Sequence, residues 1–260
     1  MIGRPNHHGF MPTRRMAVSI IAGLLLFAWT GSGRADTLAS SCSKTYSPQT
    51  VDVTQPINLG QLKLQLYYYA CSGAYDGDLD KVLSDARIYL EKRASEVSKP
   101  AVVLDIDETS LSNLPEILAN DFGYIPKGNC DALPNGPCGF DTWVLAARSK
   151  AVPGTLSLFA AARTRNVAVF FITGRHESEQ QRDATIKNLK AVGYDGWTGL
   201  VLRPASTGNT TIVGYKSGER AKIAAQGYSI ILNVGDQQSD LDGGYAERTY
   251  KLPNPFYYLP

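Results

Sequence analysis

Two carboxylates in the run Asp105-Ile106-Asp107-Glu108-Thr109 are the residues of this chain best suited to chemistry. They follow Ala101-Val102-Val103-Leu104, an apolar run that reads as a buried strand. In a continuing strand both side chains would point the same way. At the frayed end of a strand they can instead take separate tasks, one attacking and one moving a proton. Thr109 offers a hydroxyl that can tie the loop back. The set suits a carboxylate nucleophile working on an anionic substrate beside a metal ion. Asp-x-Asp pairs also occur in ordinary loops and calcium sites, so this pair needs company before it reads as a site.

Three further segments supply that company. Phe170-Phe171-Ile172 leads into Thr173, Gly174 and Arg175: a hydroxyl that can donate to a phosphate oxygen, a glycine that lets the backbone approach, and a cation. An ordinary helix N-cap would use the same threonine. Lys216, in Gly214-Tyr215-Lys216-Ser217-Gly218-Glu219-Arg220, is expected to open a helix. There it can neutralise a phosphoryl group and nearby carboxylates, whereas a surface lysine would do neither. In Val234-Gly235-Asp236-Gln237-Gln238-Ser239-Asp240, the acids Asp236 and Asp240 either finish an oxygen-rich magnesium shell or belong to a polar turn.

The elements that must position these residues alternate. Strand signals fall at 101–105, 167–173, 199–202, 229–234 and 248–252, and helical patterns at 154–165, 178–192 and 217–226. That order implies an α/β fold with a doubly wound parallel sheet and right-handed crossovers, whose ligands sit at the carboxyl ends of the strands. Two helices, 61–75 and 78–95, precede the sheet. Residues 111–152 are too long for a simple connection. They read as a small irregular insertion after the first strand, with one helix near 141–150, serving either as a lid or as a stapled surface loop.

Arg14 and Arg15 precede an apolar stretch from Ala17 to Trp29, and small residues follow to Ala35. This reads as an export signal spanning 1–35 rather than a stable membrane span, with residues 36–260 as the domain. The destination is periplasmic or secreted, with a lipid anchor on Cys42 as a minor alternative. Without the signal, 22 basic and 24 acidic side chains remain, a net charge of −2 with no basic stripe for a nucleic-acid polymer. An even cysteine count in an exported chain favours disulfides, and Cys42–Cys71 and Cys130–Cys138 each close a local loop. Of three histidines, His7 and His8 leave with the signal. His176 alone argues against a Ser-His-Asp triad or a histidine-rich metal site.

In this order and context the motifs resemble those of haloacid dehalogenase (HAD) superfamily phosphatases. Asp105-Ile106-Asp107-Glu108-Thr109-Ser110-Leu111-Ser112-Asn113 is especially similar to the secreted acid phosphatases of subfamily IIIB, which include class B and class C enzymes and plant vegetative storage proteins. Ser72-Gly73-Ala74-Tyr75, Val152-Pro153-Gly154 and the closing Leu252-Pro253-Asn254-Pro255-Phe256-Tyr257-Tyr258 match as well. The resemblance implies a HAD-like Rossmannoid fold and hydrolysis of phosphate monoesters. It implies Asp105 as nucleophile, Asp107 as acid and base, and Thr173 and Lys216, with Gly174 and Arg175 beside them, as phosphoryl holders. Mg2+ would be bound by Asp105, Asp236 and the main-chain carbonyl of Asp107, with Asp240 reaching it directly or through water.

Tyr67, Tyr68, Tyr69, Tyr124, Phe140 and Trp143 could form an aromatic platform for a nucleobase or aryl ester, though core packing suits most of them. That leaves 5'-nucleotidase or phosphotransferase as narrower variants of the phosphatase reading. The rival from another class is a non-catalytic storage or ligand-binding protein on the same fold. The partner expected is a small phosphate monoester, and a homo-oligomer is compatible with the sequence.

Overall fold

The computed structural model describes residues 42, 46–48, 54, 56–206 and 210–259; the expected export signal lies outside them. Two helices lead, α1 (Leu59–Cys71) and α2 (Ala74–Arg93). The first ends four residues earlier than its pattern suggests, because Gly73 takes a left-handed φ of 85° and breaks the chain between the two. Five strands then form one parallel sheet: β1 (Pro100–Leu104), β4 (Ala168–His176), β5 (Gly199–Arg203), β6 (Ser229–Gly235) and β7 (Arg248–Lys251). Their order is β5-β4-β1-β6-β7. The chain winds outward from β1 on one side and returns to β6 on the other, so the direction of winding switches beside β1.

Both faces of the sheet are covered, which is why β1 is apolar throughout. Val102 and Leu104 pack on one side with Leu83 and Leu90 of α2 and with Leu158 and Phe159 of α5 (Pro153–Thr164). Ala101 and Val103 pack on the other with Tyr215 and Ile223 of α7 (Ile212–Ala225). The remaining crossover helix, α6 (Glu179–Ala191), buries Leu189 on the first side. Its N-cap is Ser178, whose hydroxyl accepts from the Gln181 amide, so Thr173 is not a cap. α7 starts earlier than expected, at a Thr211 cap, and Lys216 sits in its second turn rather than opening it.

The insertion is more ordered than its composition suggests. Its ends pair antiparallel as β2 (Leu111–Ser112) and β3 (Lys150–Ala151), and it holds two helices, α3 (Leu114–Ala119) and α4 (Phe140–Ala146), where one was expected. Disulfides join Cys42 to Cys71 and Cys130 to Cys138, the expected pairing. The first consumes the sulfur that a lipid anchor on Cys42 would need.

A short helix, α8 (Gln238–Leu241), carries Asp240 and is held by Arg220, which is 1% exposed. The guanidinium donates to the carbonyls of Asp240 at 2.6 Å and Gly244 at 2.9 Å, and to that of Asp242. Arg220→Leu would take a donor from all three carbonyls, leaving that of Asp240 with Asn233 Nδ2 at 2.9 Å, so urea unfolding should show a loss of roughly 2 to 5 kcal/mol. A loss under about 1 kcal/mol would mean that the carbonyls find other partners.

Candidate active site

Leu104 pairs with Phe171 and with Val234, so the residues that follow β1 and β6 emerge side by side near the end of β4. The Asp105 amide donates to the Val234 carbonyl at 3.0 Å. From Asp105 the chain turns sharply. The Ile106 carbonyl accepts from the amides of Ser110 and Leu111, and Glu108 adopts a φ of 53°. That turn ends the strand alternation and sends Asp105 and Asp107 to different partners.

Asp105 meets Lys216, whose Nζ lies 2.6 Å from Oδ1 and also reaches Asp240. Asp107 meets Arg175, with a shortest contact of 2.7 Å, and accepts from Asn113 Nδ2 at 2.8 Å. Asp236 takes neutral donors: Thr109 Oγ1 at 3.1 Å, and Gln237 Nε2 and Asn254 Nδ2 at 2.7 Å each. The carboxylates of Asp105, Asp236 and Asp240 offer oxygens that all lie within 4.8 Å of one another.

Charge is unbalanced in this cluster. Burial pushes the Asp105 carboxyl well above the usual range, with Asp240, Asp236 and Asp107 adding to the rise against the pull of Lys216. Burial and Asp240 likewise raise Asp236 against its donors. Asp107 differs: burial raises it too, but Arg175 and Asn113 outweigh that and hold it below the ordinary value. Lys216 stays protonated despite its burial because two carboxylates face it. Three converging oxygen donors with too few positive charges fit a hard divalent cation.

Above the acids opens a cleft of about 350 Å³. Asp105, Asp107, Lys216, Asp236 and Asp240 face it, as do Gly174 and Arg175, so seven of the eight residues singled out in the sequence meet at one place. The eighth, Thr173, is fully buried just behind, its hydroxyl accepting from the Arg175 amide at 3.1 Å. Arg175 faces the cleft already engaged with Asp107 rather than as an uncommitted phosphate ligand.

The walls come from the insertion (Phe122, Tyr124, Phe140) and from the last residues described (Tyr257, Tyr258). Of the aromatics proposed from sequence, only Tyr124 and Phe140 line the cleft. Trp143 is buried and donates to Asn113 Oδ1 at 2.8 Å, as does Ser149. Asn113 thus ties the insertion to Asp107 and to Glu108, whose Oε2 accepts at 3.0 Å. The disulfide-stapled loop is fixed in the same way: Asn120 of the segment after α3 bonds both the amide and the carbonyl of Cys138 at 2.8 Å, and donates to Glu116 at 2.7 Å. Sequence reasoning gave no role to Asn113, Glu116, Gln237 or Asn254. Asn113, Gln237 and Asn254 lie inside the quoted motifs, which was the one signal that pointed to them; Glu116 had none.

A family model described as HAD superfamily, subfamily IIIB (acid phosphatase), matches residues 31–260. Acid phosphatase 1 of Solanum lycopersicum is 32% identical over 193 residues, covering 74% of this chain and 72% of that protein. Vegetative storage protein 1 of Arabidopsis thaliana is 31% identical, covering 74% of this chain and 68% of that protein. Among solved structures, the class C acid phosphatase from Bacillus anthracis superposes with a TM-score of 0.60 at 24% identity, covering 77% of this chain and 86% of that one; it shares the fold.

Two outcomes follow from this geometry. A Cβ on Gly235 would lie 2.4 Å from the Asp240 Cβ and 2.5 Å from its Oδ2, so Gly235→Ala must displace Asp240. Phosphatase assays should then show a loss of about tenfold or more, the scale seen when a ligating carboxylate loses its support. Glu116, which lines the cleft, is pushed by burial to about 8, helped by the Asp107 charge and opposed by the Asn120 donor. The unfolded chain releases this proton near the ordinary carboxylate value and the folded chain only near the raised one, so the group increasingly opposes folding as pH rises between them. In chelator, Glu116→Gln should gain on the unmutated chain by roughly 2 to 4 kcal/mol between about pH 5 and about pH 8. A stability difference that stays flat with pH would refute the assignment.

Proposed function

The chain belongs to the acid phosphatases of subfamily IIIB in the HAD superfamily, and we propose that it is an exported, magnesium-dependent enzyme hydrolysing small phosphate monoesters through an aspartyl-phosphate. The observation that carries this reading is the division of the acids. Asp105 is paired with a lysine at the floor of the cleft, Asp107 with an arginine beside it, and Asp236 and Asp240 close the cation-binding cluster.

An Asp105 oxygen attacks phosphorus while the ester P–O bond breaks. Asp107 gives its proton to the departing alkoxide. It then takes a proton from the water that splits the acyl phosphate, and this restores the Asp105 carboxylate and releases inorganic phosphate. Lys216 lies where it can offset the phosphoryl charge, and the Thr173 hydroxyl, an acceptor toward Arg175, keeps its own proton for a phosphoryl oxygen. A magnesium ion held by Asp105, Asp236, Asp240 and the Asp107 main-chain carbonyl would supply the missing positive charge. Asp107 must be protonated to act first as an acid, which favours mildly acidic pH because Arg175 keeps its proton affinity low.

The aromatic walls, with Tyr124 and Phe140 at a ring separation of 6.0 Å, favour aryl or nucleoside monophosphates. Transfer to a second alcohol in place of water would use the same intermediate. Residues 1–35 act as the export signal and residues 36–260 as the phosphatase domain, with 111–152 as its cap-like part. The two disulfides suit an oxidising compartment, and no helix among the described residues is long and apolar enough to cross a membrane. A storage role, suggested by some relatives' names, leaves the complete set of acids and cations without a task.

The test compares the unmutated chain with Asp105→Asn on aryl phosphates at mildly acidic pH, each stripped by chelator and resupplied with Mg2+. The unmutated chain should lose activity to the chelator and regain it with Mg2+. The variant should fall by about 10³-fold or more under all conditions. Equal rates for the two proteins would remove Asp105 as the nucleophile. Failure of the unmutated chain on a broad panel of phosphate esters would favour the storage reading.

A further inference from the structure

Apart from Tyr257 and Tyr258 in the cleft wall, the closing run Leu252-Pro253-Asn254-Pro255-Phe256-Tyr257-Tyr258 has no task in the reaction described above, although it is as distinctive as the acidic motifs. After β7 it turns back across the carboxyl ends of the strands. The Leu252 amide donates to the Gly235 carbonyl at 2.9 Å, which brings the segment alongside the Gly-Asp motif. Asn254, held between two prolines whose φ is fixed, donates through Nδ2 to Asp236 Oδ2 at 2.7 Å. Its own Oδ1 accepts from the Phe256 amide at 2.9 Å.

The second donor to that oxygen, Gln237 Nε2, depends on the same segment: Gln237 Oε1 accepts from the Leu259 amide at 3.1 Å. With Thr109 on Oδ1, three of the roughly four lone-pair directions of the Asp236 carboxylate are occupied by fixed donors. An oxygen of the same carboxylate lies within 4.8 Å of oxygens of Asp105 and Asp240. Phe256 anchors the tail beneath the insertion, edge-on to Tyr75 at 5.0 Å and stacked on Phe122 at 5.9 Å.

We propose that the segment 252–259 is a working part of the cation site, with Asn254 as a positioning residue that aims the Asp236 carboxylate at the ion. The proposal rests on the divalent-cation reading given above. Amide donors of this kind orient a carboxylate without neutralising it, and their removal from metal sites commonly weakens the ion by about 10- to 100-fold.

The test is direct Mn2+ binding to the whole protein, read from the spectrum of free Mn2+, together with melting temperatures in chelator and in Mn2+. Asn254→Ala should raise the Mn2+ dissociation constant about tenfold or more and shrink the Mn2+-induced rise in melting temperature. Asn254→Ser keeps a short acceptor for the Phe256 amide but cannot reach Asp236, so it should weaken Mn2+ equally while melting in chelator like the unmutated chain. Wild-type affinity in either variant would overturn the proposal. In the case of Asn254→Ser alone, it would show that the turn matters rather than the donor. Absence of Mn2+ binding by the unmutated chain would instead sink the cation reading itself, and this proposal with it.

Discussion

Asp105, Asp107, Asp236 and Asp240 converge where neighbouring parallel strands end, and Lys216 and Arg175 form ion pairs with three of them. Like charges in a low-dielectric interior are tolerated only when each meets a donor or an opposite charge. The sheet imposes the crowding. With β1 between β4 and β6, whatever follows these strands must share one small volume. Much of the remaining structure serves to make that crowding tolerable while keeping it useful.

Separation of partners is the means. Lys216 serves Asp105 and Asp240, Arg175 serves Asp107, and neutral amides and a hydroxyl serve Asp236. Two aspartates with one residue between them therefore differ in proton affinity, Asp105 pushed up by burial and its acidic neighbours and Asp107 held down by Arg175. As they stand these shifts run against the proposed roles, an attacking Asp105 and a proton-carrying Asp107, so the proposed order needs added positive charge at Asp105. Bringing a cation to Asp105 would favour its ionised, attacking form without touching the Arg175 pair.

The α/β order, the parallel sheet and the acids at its edge were legible in the sequence because buried parallel strands are continuous apolar runs, and polar residues right after them have few places to go. Helix ends were less legible. Gly73 cuts α1 short through its left-handed backbone, and Thr211, too weak a signal to notice in a polar loop, starts α7 before Lys216. The insertion hid a second helix because α3 is only six residues long and follows directly on β2. Asn113, Asn120 and Asn254 were illegible for a different reason. A side-chain amide has no periodicity and no charge, so its value appears only when a carboxylate or a backbone group from a distant segment is placed against it.

Those amides explain why the insertion and the closing segment belong to the site and are not merely attached to it. Asn113, fixed by Trp143 and Ser149, reaches Asp107; Asn254, fixed between prolines, reaches Asp236. A lysine in either place would have satisfied the carboxylate and also cancelled the negative field that a divalent ion needs. An amide fixes orientation and leaves the charge in place. The sheet ends supply the charges, and the elements outside the sheet supply the neutral donors that aim them. On that division of labour, the chain beyond the five strands is as much a part of the chemistry as the aspartates themselves.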